Sequence, residues 1–155
     1  MKGLSTFASL EELDAESKYL VHKAKEAALI AYAPYSKFHV GAALLLDDGT
    51  LVTGANQENA AYPLCMCAER VALYVAASQH PRRTIKKMAV VAHKKNQKEL
   101  INATSCGACR QVMLEFEARQ KEPIQIVMLD DNKWTVCSSA AILLPLSFDA
   151  RNLKD

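Results

Sequence analysis

The chain has 155 residues, a mass of 17.1 kDa and a formal charge of +2, with half its residues hydrophobic and 23% charged. That length suits one sizeable core, so residues 1–155 are expected to form a single domain. The balance is too apolar for disorder and too nearly neutral to favour a polyanionic partner, and no apolar run approaches the ~20 residues of a membrane span.

Met1 to Ser9 carries one lysine and no apolar stretch long enough for a secretion signal, and reads as a flexible N-terminal extension. The five cysteines are odd in number and unevenly spaced. In a chain read as cytoplasmic, that pattern points to metal binding or catalysis rather than disulfides. The basic pairs Arg82-Arg83, Lys86-Lys87 and Lys94-Lys95 lack interleaved aromatics and read as solvated edges and loop ends, not as a nucleic-acid surface.

Ser9-Leu10-Glu11-Glu12 has the form of a capping box, and Leu10, Leu13, Leu20, Val21, Ala24, Ala28 and Ala31 follow at helical spacing until Pro34. His39 to Leu46 and Leu51 to Ala55 are strands joined as a hairpin by Asp47-Asp48-Gly49-Thr50. A second helix is expected from Cys67 to about Ser78, ended by His80-Pro81, and a third strand over 87–92. The polar loop 93–102 leads to a third helix over 109–119. Strands over 124–129 and 134–137 flank a tight turn, and Ser138 or Ser139 caps a short last helix before Pro145. With this order and short connections, helices must cover both faces of one mixed, five-stranded sheet. The expected fold is a three-layer α/β/α sandwich whose last two strands, joined too tightly for a crossover, are antiparallel.

Cys67-Ala68-Glu69 and Cys106-Gly107-Ala108-Cys109 carry the chemistry. Both segments fall at expected helix starts, where free amides and the helix dipole favour thiolate over thiol. Three thiolates hold one zinc ion and leave a fourth position open, and Glu69 is spaced to face that opening; zinc so held lowers the pKa of water toward 7. Three thiolates also leave the site with excess negative charge. Arg70 is positioned to offset it by hydrogen bonding to the sulfurs, whereas Arg110 reads equally as such a partner or as a solvent-facing residue. The rival readings are inert buried thiols, a redox pair, or a closed structural site in which Cys65 supplies a fourth sulfur.

Together the motifs resemble the zinc-dependent cytidine deaminases, specifically the small homotetrameric class. The general layout in zinc nucleobase deaminases is His/Cys-x-Glu followed by Pro-Cys-x-x-Cys. The resemblance is carried by Ala33 to Phe38, Val40 to Leu44, Gly54 to Tyr62, Cys67 to Arg70, Cys106 to Val112 and Leu143 to Phe148, in order over residues 19 to 148. It implies one zinc per chain on Cys67, Cys106 and Cys109, with Glu69 as the proton shuttle. It implies further that Asn56 and Glu58 hold ribose hydroxyls, Phe38 packs on the pyrimidine, and the Ala68 amide meets the base carbonyl. Phe148 and Tyr62 match aromatics that reach a neighbouring subunit's site or interface.

The expected reaction is hydrolytic deamination of cytidine and deoxycytidine in pyrimidine salvage, with a free pyrimidine nucleoside as partner and neither nucleic acid nor membrane. The alternatives are a deaminase of another nucleoside such as blasticidin S, a polynucleotide deaminase, or a non-catalytic four-cysteine zinc module. Three departures from the family pattern stand out, one being that the nine N-terminal residues and the 93–103 loop are longer than typical. Ser105 occupies the place of the usual proline before the first cysteine of the pair, and His39 the place of the proline that commonly follows the phenylalanine.

Overall fold

A computed structural model describes residues 2–153. Asp14, rather than Ser9, opens the first long helix. The Asp14 carboxylate accepts from the Ser17 amide at 2.9 Å and from the Ser17 hydroxyl at 2.8 Å, and helix α1 runs Ala15–Ala28. The expected capping box at Ser9 closes only a single 3₁₀ turn, Leu10–Glu12, in which Glu12 accepts from the Ala8 amide and the Ser9 hydroxyl. Leu13 then turns extended and buries its side chain, which interrupts the helix that the leucine spacing suggested.

Among the described residues, six strands form one sheet, β1 (Leu4–Phe7), β2 (Phe38–Leu46), β3 (Leu51–Ala55), β4 (Ile85–Lys94), β5 (Gln125–Asp130) and β6 (Lys133–Cys137), in the order β1-β6-β5-β4-β2-β3. Only β4 and β5 are parallel, and β5 and β6 are antiparallel as expected. The sheet therefore has six strands, not five, because residues 4–7 pair with β6 from Leu4↔Cys137 to Phe7↔Trp134. This segment reads as a flexible extension because Leu-Ser-Thr-Phe is short and apolar only at its ends. Three positions apart on a strand, those ends point to opposite faces, and each joins a different core.

Helices α2 (Ala68–Gln79) and α3 (Gly107–Gln120) cover one face and α1 the other, giving the three layers. Strand alternation sorts the two cores. Leu44, Met88, Val90 and Met128 pack toward α2 and α3, whereas Ala43, Ala89, Val91 and Val127 pack toward α1. Gly54 sets how closely α2 approaches β3. A Cβ there would lie 2.5 Å from the Ala68 carbonyl oxygen and 2.6 Å from the Ala72 nitrogen, so only glycine lets the first turn of α2 seat on the sheet.

One of the basic pairs behaves differently from its reading as a solvated edge. Lys87 is only 7% exposed, and its ammonium donates to Asp14 at 2.9 Å and to the Ser17 hydroxyl at 3.2 Å, with Glu16 at 3.3 Å. Strand alternation turns Lys87 inward beneath α1, where the helix's own N-cap neutralises it. The short helix expected before Pro145 is a 3₁₀ turn, Ala140–Leu143, whose cap Ser139 accepts from the Ala141 amide, and a further 3₁₀ turn follows at Ala150–Leu153.

Candidate active site

Cys67 is the N-cap of α2 and Cys106 the N-cap of α3, both extended, and Cys109 lies in the first turn of α3. The two helix starts meet and bring the three sulfurs within 4.8 Å of one another, with 3.9 Å between Cys67 and Cys106 and 3.4 Å between Cys106 and Cys109. Tetrahedral zinc–thiolate bonds of about 2.3 Å place sulfurs roughly 3.8 Å apart, so the group fits zinc with modest adjustment. The charges agree. A hydrogen bond from Cys109, with a lesser one from Arg70, lowers the Cys67 pKa to about 5, and the same contact with Cys67, together with burial, pushes the Cys109 thiol up. Sulfurs competing for one negative charge are relieved by a divalent cation, which lets all three ionise.

Arg70 approaches Cys67 Sγ at 3.8 Å, as expected of a cation offsetting the thiolates. Arg110 does not. Its guanidinium donates to the carbonyls of Ser105 at 2.8 Å and Leu143 at 3.1 Å, and so braces the loop that delivers Cys106. Cys65 lies outside the sulfur group, and its Sγ accepts from the Asn59 amide at 3.2 Å instead. The closed four-cysteine arrangement therefore finds no support in the geometry.

Glu69 follows one residue into α2 and is 4% exposed. Burial pushes its pKa upward. It lines a cavity of about 570 Å³ together with Cys67, Cys106, Phe38, Asn56 and Glu58. The Asn56 side chain is held by β2, its Oδ1 accepting from the Val40 amide at 2.8 Å and its Nδ2 donating to the Phe38 carbonyl at 2.9 Å. Each end of that amide keeps one further hydrogen-bonding capacity. Glu58 Oε2 accepts from the Tyr35 amide at 2.9 Å and the Ser36 amide at 3.3 Å, fixing the turn that enters β2. Hydrogen bonding from Ser36 holds its carboxyl below the usual range.

Ala68 is fully buried at the first position of α2, where amides lack intrahelical partners. Phe148 does not line this cavity. It is 60% exposed, and its carbonyl accepts from Gln111 at 2.8 Å. Tyr62 is likewise exposed, edge-on to Tyr35. The structure adds Thr104, Ala103 and Val90 to the cavity wall. No local pattern marks the first two, which lie in the loop before Cys106, and Val90 reads only as strand core.

Buried carboxylate, three-sulfur metal group and nucleoside-sized cavity define a zinc-dependent deaminase site on an α/β/α fold. The family described as "Cytidine and deoxycytidylate deaminase zinc-binding region" matches residues 14–122. The chain is 43% identical to a cytidine deaminase of Halalkalibacterium halodurans, over 90% of this chain and 99% of that one. It is 44% identical to a cytidine deaminase of Sporosarcina psychrophila, over 93% and 94%. Among solved structures, cytidine deaminase from Burkholderia pseudomallei superposes with a TM-score of 0.71 at 40% identity, covering 88% of this chain and all of that one. The chain belongs to the zinc-dependent cytidine deaminases.

Proposed function

We propose that this protein hydrolyses the exocyclic amine of free cytidine and deoxycytidine, giving uridine or deoxyuridine and ammonia. The observation that carries this reading is the buried Glu69 carboxylate in one cavity with the Cys67 and Cys106 thiols. Cys67, Cys106 and Cys109 would hold one zinc ion, whose chemistry when bound is that of a Lewis acid that makes water acidic near neutral pH. Glu69 takes a proton from the attacking water and gives protons to the ring nitrogen and to the departing amine. The raised pKa that burial gives it suits this exchange.

The remaining roles follow from family membership and from position. Asn56 offers one N–H and one lone pair to a ribose hydroxyl, beside Glu58. Phe38 packs on the base and the Ala68 amide meets its carbonyl. Phe148, remote from its own cavity, reaches a neighbouring copy's site in a homotetramer. A polynucleotide would bring phosphates against Glu58, so the free nucleoside is the better fit. Pyrimidine salvage in the cytoplasm is the corresponding role. Among the described residues, no helix is long and apolar enough to cross a membrane.

The test is direct. Purified protein mixed with cytidine is followed by ultraviolet absorbance and by ammonia release. Equimolar uridine and ammonia are expected, lost on chelation and restored by zinc. Zinc-loaded protein that leaves cytidine and deoxycytidine untouched would rule the reading out.

A further inference from the structure

Leu144 to Phe148 form neither helix nor strand, and two large apolar side chains stand out from them, Leu146 at 98% exposed and Phe148 at 60%. The backbone of this arm is nonetheless fixed, and from one place. Arg110 Nη1 donates to the Leu143 carbonyl at 3.1 Å, and Gln111 Nε2 donates to the Phe148 carbonyl at 2.8 Å. The partners lie 33 and 37 residues apart in the chain, so these are tertiary ties. Among the described residues, no other hydrogen bond joins residues 143–148 to a helix or strand of the body. The Leu144 amide bonds only to the Ala141 carbonyl, within the preceding turn.

Both anchors directly follow Cys109 at the start of α3, and Arg110 Nε also donates at 2.8 Å to the Ser105 carbonyl, beside Cys106. Arg110 therefore spans the loop before one thiol and the near end of the arm, while Gln111 holds the far end. Two fixed points with only four residues between them leave the intervening backbone few conformations. Holding the Phe148 carbonyl also sets the peptide plane next to its side chain. The ring is outside its own cavity, so it is presented outward in a fixed direction. A side chain already held in place loses less freedom when it docks, which shows as tighter binding rather than faster chemistry.

We propose that Gln111 is a positioning residue for Phe148, holding it ready to enter the cavity of a second copy of this chain, with Arg110 fixing the near end of the same arm. This rests on the reading of Phe148 as a residue lent to a neighbouring copy. The start of α3 then serves two sites at once. It places Cys109 for its own copy's metal group and steadies the ring that the neighbour's substrate meets.

The experiment uses zinc-loaded protein and three substitutions. Gln111→Met removes the donor at nearly constant size, Gln111→Glu sets a carboxylate against the Phe148 carbonyl, and Phe148→Ala removes the ring. Readouts are mass by light scattering, zinc content, and kcat and KM for cytidine. Both Gln111 variants should keep the assembly, one zinc per chain and kcat within about twofold, while KM rises about fivefold, the worth of one neutral hydrogen bond. Gln111→Met combined with Phe148→Ala should match Phe148→Ala alone within about twofold. Mixed assemblies then locate the effect. Active chains are co-assembled with an excess of Glu69→Gln chains, which lend their arms but contribute no turnover. Gln111→Met should raise KM when carried by the Glu69→Gln chains and not when carried by the active ones. A KM rise that follows the active copy's own Gln111 overturns the proposal, as does an unchanged KM in both Gln111 variants beside a raised KM in Phe148→Ala. An unchanged KM in Phe148→Ala instead removes the reading of Phe148, and the proposal with it.

Discussion

Glu69 owes its character to where one turn of helix puts it. An acid 4% exposed, beside thiols and facing a cavity, is held toward its protonated form by desolvation, yet keeps a route to ligand. Glu69→Gln preserves shape and removes the basic oxygen. It should keep its zinc and fold while turnover falls by about 10²–10⁴-fold, checked by metal analysis and steady-state rates on the same preparation. How far such residues can be read from the chain depends on range. Cys67, Cys106, Cys109 and Glu69 stand in short motifs at helix starts, and local spacing fixes which way they face. The seat of Ser105, buried with its amide and hydroxyl on Met128 of β5, joins a loop to a strand far along the chain and has no local sign. Arg110 illustrates the same limit, because adjacency to a ligand did not tell that its guanidinium turns back to carbonyls.

Elements carry these residues to the site, and two junctions do most of it. The first is the seat of α2 on β3 at Gly54. Gly54→Ala drives a methyl into the Ala68 carbonyl and the Ala72 amide, one residue from Glu69. Unfolding stability should drop by about 1–3 kcal/mol, the ordinary cost of overpacking, and kcat should fall with it, as denaturant midpoints and rates would show. The second junction is the start of α1 against β4. Partial burial would raise the Asp14 pKa, but hydrogen bonds from Ser17 and Lys87 outweigh it and bring it from 3.8 to about 2. A carboxyl depressed by folding stabilises the protein fully above its unfolded pKa, and that contribution is lost as pH falls from about 4 toward 2. Chemical denaturation across that window should show stability declining, with a shallower slope in Lys87→Met. An unchanged slope in that variant would remove Lys87 as the cause. Helix and strand order was legible here because periodicity and turn residues are local. The true start of α1 was less so: Asp14 caps it through the Ser17 amide, but the leucine spacing runs unbroken through Leu13, and only packing turns that residue extended.

At the scale of the whole molecule, the layers and the parallel β4–β5 pair put both helix starts in one place, and that convergence makes the site. The antiparallel last pair could be read from the length of one turn. The sixth strand could not, because four residues with two apolar ends carry too little pattern until β6 offers them an edge. Phe148 poses the corresponding question between molecules, being exposed and away from its own cavity. Light scattering after size exclusion should give about four times 17.1 kDa, and Phe148→Ala should raise KM for cytidine more than it lowers kcat. A monomer with full activity would contradict that arrangement. The proposed chemistry turns on the coordination of one metal ion, and X-ray absorption at the zinc edge reads it directly. Three sulfurs near 2.3 Å and one lighter atom are expected, unaltered in Cys65→Ala; a shell of four sulfurs would leave no open position and contradict it.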